Sequence, residues 1–150
     1  MLKEGSKAPA FDLPADDGTK VALKDLKGKK VILFFYPKDM TSGCTVEARG
    51  FQAELAKFTR KGAVILGVSK DSVASHRKFK EKDGLTYRLL SDKDGDVCEK
   101  YGVWVEKSMY GRKYMGIERT TFLIDADGKI EKIFPKVKVD GHCGEVLTSL

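Results

Sequence analysis

Val31-Ile-Leu-Phe-Phe-Tyr36-Pro37-Lys-Asp-Met-Thr41-Ser-Gly-Cys44-Thr-Val-Glu47-Ala-Arg-Gly-Phe51 changes its periodicity halfway along. Val31 to Tyr36 is an unbroken β-branched and aromatic run, the pattern of a central strand buried on both faces. Pro37 ends it. Beyond a short loop, Ala48, Phe51, Leu55 and Phe58 recur at spacings of three and four, which predicts one amphipathic helix. Carrying that register back by four residues lands on Cys44. The stretch therefore predicts a buried strand, a loop and a helix whose first turn holds a cysteine.

Outward from it, the pattern repeats. Ala63-Val-Ile-Leu-Gly-Val68 reads as a second buried strand, 73–82 as a polar helix and Tyr87–Leu90 as a third strand. Asp94-Gly-Asp96 starts a short helix with Val97, Cys98 and Tyr101. Phe11–Leu13 and Val21–Leu23 flank Asp16-Asp17-Gly18 as a hairpin, and Thr120–Ile124 and Ile130–Phe134 flank Asp125-Ala-Asp127-Gly128 as another. From Gly141 a last helix carries Val146, Leu147 and Leu150. Strands alternating with helices, with hairpins at both ends, predict an α/β chain with a mixed central sheet flanked by helices. A thioredoxin-like three-layer arrangement fits this order, as do other α/β folds.

The chain has 150 residues, 41% hydrophobic and 33% charged, so a single domain over 1–150 is expected and disorder is excluded. No apolar run reaches the ~20 residues of a membrane span. No signal-peptide pattern stands at the start, and the cytoplasm is the expected compartment. The net charge of +6 comes from scattered lysines interleaved with acids, as in Lys78-Phe-Lys-Glu-Lys-Asp83, which argues a solvated surface and not a nucleic-acid footprint. Phosphate-binding glycine motifs are missing. Asp92, Asp94 and Asp96 have the wrong glycine and Val103 at the twelfth position for a calcium loop. His76 and His142 read as surface or capping residues.

Cys44, Cys98 and Cys143 are too few and too widely spaced for a disulfide scaffold or a structural zinc site. At a helix start, unpaired backbone N–H groups and the helix dipole favour a thiolate, so Cys44 is a candidate nucleophile. Packing beneath the loop is the alternative. Thr41 can offer a hydroxyl to the sulfur or to an oxygen bound beside it.

Pro37-x-x-x-Thr41-x-x-Cys44 resembles the active-site signature of the peroxiredoxins, thiol peroxidases on a thioredoxin-like fold. Phe35-Tyr-Pro-Lys-Asp39, Gly43-Cys-Thr-x-Glu-Ala48, Tyr110-Gly-Arg-Lys-Tyr-Met-Gly116 and Arg119-Thr-Thr-Phe-Leu-Ile-Asp125 are similar to the bacterioferritin-comigratory, or Q-type, class. The resemblance spans nearly the whole chain, and it implies an N-terminal hairpin extension. It implies Cys44 as the peroxidatic nucleophile, Thr41 and Arg119 binding the peroxide oxygens, and Pro37 shielding the site. Glu47 would orient its neighbours. Without the resemblance, Arg119 reads as a strand-edge surface charge.

Three positions depart from the class. Ser42-Gly43 replaces Pro-Gly, Met40 replaces a more polar residue, and Arg49 stands where many members carry a second cysteine. Of the two remaining thiols the resemblance favours Cys98 as the resolving one, in a small helix expected to unfold at low cost. The implied activity is reduction of hydrogen peroxide and organic hydroperoxides, with thioredoxin or a similar dithiol as reductant. It needs no metal, haem, flavin or other cofactor. The resemblance implies a monomer, and the charge pattern and the lack of a long apolar run predict no nucleic-acid or membrane partner. A redox sensor or holdase that oxidises Cys44 once, without sustained turnover, is the competing reading.

Overall fold

The computed structural model describes residues 2–150. Strands β1 (Asp12–Pro14) and β2 (Lys20–Ala22) pair antiparallel with Leu13 opposite Val21, forming the expected first hairpin. A 3-10 turn leads to β3 (Lys30–Phe35), which feeds α1 (Ser42–Ala53). The single helix expected from Ala48 to Phe58 is two: the chain bends at Glu54 before α2 (Leu55–Arg60). Side-chain spacing survives such a bend, which is why periodicity alone does not reveal it.

The chain continues through β4 (Ala63–Ser69), α3 (Val73–Asp83), β5 (Arg88–Ser91) and a four-residue α4 (Val97–Lys100). A hairpin of β6 (Trp104–Met109) and β7 (Arg112–Ile117) follows, then β8 (Thr120–Ile124), β9 (Ile130–Phe134) and α5 (His142–Thr148). The central sheet has the order β5-β4-β3-β8-β9. β3, β4 and β5 run parallel, β8 runs antiparallel to β3, and β9 antiparallel to β8. The sheet is mixed, as expected.

Alternation along β3 divides the core in two. Val31, Leu33 and Phe35 face one side with Phe11 and Leu13 of the N-terminal segment and with Cys98 and Tyr101 at α4. Ile32, Phe34 and Tyr36 face the other with Cys44, Phe51, Phe58, Phe79 and Val146, brought by α1, α2, α3 and α5. Layers thus cover both faces of the sheet. Gly67 in β4 has no room for a side chain, because a Cβ there would lie 2.8 Å from the Phe34 ring. Among the described residues no helix is long and apolar enough to cross a membrane.

Candidate active site

β3 ends at Phe35, and the amide of the next residue, Tyr36, donates to the Val68 carbonyl at 3.1 Å. Half-buried Pro37 turns the chain out of the sheet, and the loop to Thr41 is fixed by a buried polar network. Asp39 is its hub. One carboxylate oxygen accepts from the Tyr36 hydroxyl at 2.6 Å, and the other lies 2.6 Å from His76 Nδ1 and 2.8 Å from the Ser75 hydroxyl. His76 Nε2 lies 2.8 Å from the Leu90 carbonyl, which can only accept, so Nε2 carries a proton. The Asp39 amide donates to Asp71 at 2.9 Å.

This network corrects the reading of His76 as a surface or capping residue: it is fully buried and joins α3 to the loop. His142 is likewise buried, with Nε2 2.8 Å from the Thr121 hydroxyl. Neither burial could be read locally, because His76 and the Nε2 of His142 find their partners at distant positions. Asp39, Asp71 and His76 bring ligating atoms within 4.8 Å of one another, yet both His76 nitrogens and the inner carboxylate oxygens already have protein partners. The donor set is built for hydrogen bonding, not for an ion.

Met40 has φ 63°, a left-handed conformation unusual for a residue with a side chain, and it turns the loop into α1. Thr41 stands at the helix N-cap, with its hydroxyl donating to the Lys38 carbonyl at 2.9 Å. Cys44 lies in the first turn and is 1% exposed. Arg119, between β7 and β8, reaches it: Nη2 stands 3.3 Å from Cys44 Sγ. The other arm of the same guanidinium donates from Nη1 to Glu47 at 2.7 Å. A Cβ on Gly43 would approach Nη2 to 3.2 Å, so the bare backbone there leaves the arginine its room.

Glu47 is fully buried, and its second oxygen has no hydrogen-bond partner among the described residues. Burial outweighs the neighbouring guanidinium and holds its carboxyl up at about 7. Lys107 of β6 has its pKa lowered by burial and by the charge of Arg119. The site therefore joins Cys44, Glu47 and Arg119 directly, while Thr41 stands at the N-cap of the helix that carries Cys44 and Pro37 begins the loop before it.

Cys98 is elsewhere. It packs in the core on the opposite face of the sheet, fully buried. Burial and the adjacent Asp92 carboxylate raise its thiol well above the usual range. Asp92, itself buried, accepts from the Val97 amide at 3.2 Å and the Cys98 amide at 2.8 Å, and pairs with Lys70 at 3.3 Å. These ties hold α4 and count against the expectation that it opens at low cost. Cys143, at the start of α5, lies on the Cys44 side.

The chain matches the model of the AhpC/TSA family over residues 5–133. It is 58% identical over 149 residues to a Coxiella burnetii relative bearing the name peroxiredoxin bcp, covering 99% of both chains. It is 48% identical to Peroxiredoxin Bcp of Escherichia coli, over 99% of this chain and 96% of that one. Among solved structures, a Xylella fastidiosa PrxQ mutant superposes with a TM-score of 0.94 at 38% identity, over 99% of this chain and 95% of that one.

Proposed function

The chain belongs to the AhpC/TSA family, and from that premise we propose that it is a thiol peroxidase whose nucleophile is Cys44. The observation that carries the assignment is the forked contact of Arg119, with one arm on Cys44 Sγ at 3.3 Å and the other on buried Glu47 at 2.7 Å. A guanidinium is permanently charged and donates along two directions, so it can hold a thiolate and a peroxide oxygen together. The Cys44 thiolate attacks the terminal oxygen of the hydroperoxide. The O–O bond breaks, sulfur is oxidised to a sulfenic acid, and the departing oxygen takes up a proton to leave as water or alcohol. Arg119 stabilises charge on that departing oxygen, joined by the Thr41 hydroxyl once it turns from the Lys38 carbonyl, and Pro37 limits water access.

The sulfenic acid condenses with a second thiol of the same chain, releasing water. A dithiol reductant, thioredoxin, then reduces the disulfide by exchange. The sequence favours Cys98 for the second thiol; its place across the sheet, pinned by Asp92, counts against it. The working unit is a monomer, and its three unpaired cysteines suit a reducing compartment, the cytoplasm. The test is peroxide consumed per protein with thioredoxin, its reductase and NADPH present. Many equivalents are expected. A single equivalent per chain would reject a peroxidase in favour of a one-shot redox sensor.

A further inference from the structure

We infer that Cys143, in the C-terminal helix, is the thiol that resolves oxidised Cys44. This rests on the reading of Cys44 as the residue that forms a sulfenic acid. The two thiols share one core cluster, and Cys143 of α5 packs on the helix that carries Cys44: its Sγ lies 3.6 Å from the Glu47 carbonyl oxygen, one turn along α1 from Cys44. The sulfur fills a notch in α1, since a Cβ on Gly50 would come within 2.8 Å of it. Burial and the neighbouring Glu47 push the resting Cys143 thiol up to about 12, so it is unreactive while α1 is intact.

Cys44 and Gly50 are six residues apart, a rise of about 9 Å along a helix, so no disulfide forms in the resting fold. Unwinding the first turn and a half of α1 removes that barrier. The three residues from Cys44 to Glu47, once extended, span about 10 Å and can fold back onto Cys143 without moving α5. The same unwinding withdraws the Glu47 carbonyl from Cys143 Sγ, so one event frees both sulfurs. A bond to Cys98 would need this opening, a second one at α4 against the Asp92 ties, and a path around the sheet.

Oxidation itself favours the opening. The Arg119 contact to Cys44 is strongest when sulfur carries negative charge, and a neutral sulfenic acid weakens it. The step balances: Cys44 S–OH and Cys143 S–H form the S–S bond and one water, and a later dithiol supplies two electrons and two protons to restore both thiols.

The test is one equivalent of hydrogen peroxide added to reduced wild type, Cys98→Ser, Cys143→Ser and Cys143→Ala, followed by non-reducing peptide mapping and thioredoxin-coupled turnover. A Cys44–Cys143 link within one chain is expected in wild type and in Cys98→Ser. Both Cys143 variants should still consume the first equivalent, accumulate a trappable Cys44 sulfenic acid and lose about tenfold or more of sustained turnover. Mapping of wild type alone decides the matter if a Cys143 variant misfolds. A Cys44–Cys98 link, or a sulfenic acid that persists in wild type without any intrachain disulfide, overturns the assignment and leaves the peroxidase reading standing. No oxidation of Cys44 at all sinks both.

Discussion

Replacing Glu47 by glutamine isolates the cost of burying an ionisable group beside the reactive sulfur. The carboxyl is fully buried, one oxygen takes Arg119 Nη1 at 2.7 Å, and the other has no partner among the described residues. Its pKa is raised from 4.5 to about 7, with burial the largest cause and Arg119 opposing it. Below pH 4.5 the group is protonated in folded and unfolded chains alike and contributes no pH dependence. Between 4.5 and 7 the unfolded chain releases the proton and the folded chain keeps it, so stability falls as pH rises. Above 7 both are ionised and the loss is complete. At about 1.36 kcal/mol per unit, the displacement is worth about 3 kcal/mol. Glutamine keeps the carbonyl acceptor for Arg119 and has no proton to lose.

The stability difference, Glu47→Gln minus wild type, should therefore grow in favour of the variant by about 3 kcal/mol between pH 4.5 and 7.5. Urea unfolding followed by circular dichroism at half-unit steps measures it. Other titrating groups, such as His142, are common to both proteins and largely cancel in the difference. A difference that stays flat across the window would refute the account of Glu47 as a buried carboxyl ionised at a cost.

Arg119→Met and Thr41→Val should each slow Cys44 oxidation by roughly 10²-fold, the usual cost of losing a donor aimed at developing oxyanion charge. Stopped-flow fluorescence on mixing with peroxide reads it, and near-normal rates in both would mean the site is misplaced. Gly50→Ala should destabilise by about 1–3 kcal/mol through the clash with Cys143 Sγ. Most of that loss should vanish in the Gly50→Ala, Cys143→Ala double variant, because the Cys143 Cβ stands at an ordinary 3.6 Å; additive effects would contradict the notch. His76→Leu leaves the buried Asp39 carboxylate without its ring partner and should cost about 3–5 kcal/mol in a denaturant titration. A loss under about 1 kcal/mol would show that the loop is held by other means.

The strand from Val31 and the helix beyond Cys44 were legible because each buries a contiguous pattern, and periodicity reports burial. The β6–β7 hairpin was not. Its residues are mostly exposed on both faces, so no alternation marks it, and its two-residue turn is Tyr110-Gly111 in place of the familiar Asn-Gly pair. Both turn residues have positive φ, at 52° and 78°, as a tight hairpin requires. Arg119 was placed at the site by a motif, not by its surroundings. The histidines escaped for a related reason: the partners of His76 come from Tyr36 just after β3, the loop beyond it and β5, and hydrogen-bond satisfaction across such distances leaves no local trace. The side of the sheet on which each cysteine lies was hidden too, since a short helix shows that it has an apolar face and not which surface that face meets.

That hidden side gives α1 its character. Gly43, Glu47 and Gly50 are spaced by four and three, so they form one stripe along the helix. Each position on it is occupied by a partner from the last third of the chain: Arg119 Nη2 beside Gly43, Arg119 Nη1 on Glu47, Cys143 Sγ against Gly50. Two glycines inside twelve residues cost the helix roughly 0.5–1 kcal/mol each relative to alanine, and a buried carboxyl adds its own penalty near neutral pH. The helix holding the nucleophile is thus weak by itself and depends on a guanidinium and a thiol docked along one face. The guanidinium's hold is strongest on a sulfur anion. A chemical change at that sulfur therefore acts on a helix that leans on its docked partners, and the thiol on the same stripe is the group its unwinding uncovers.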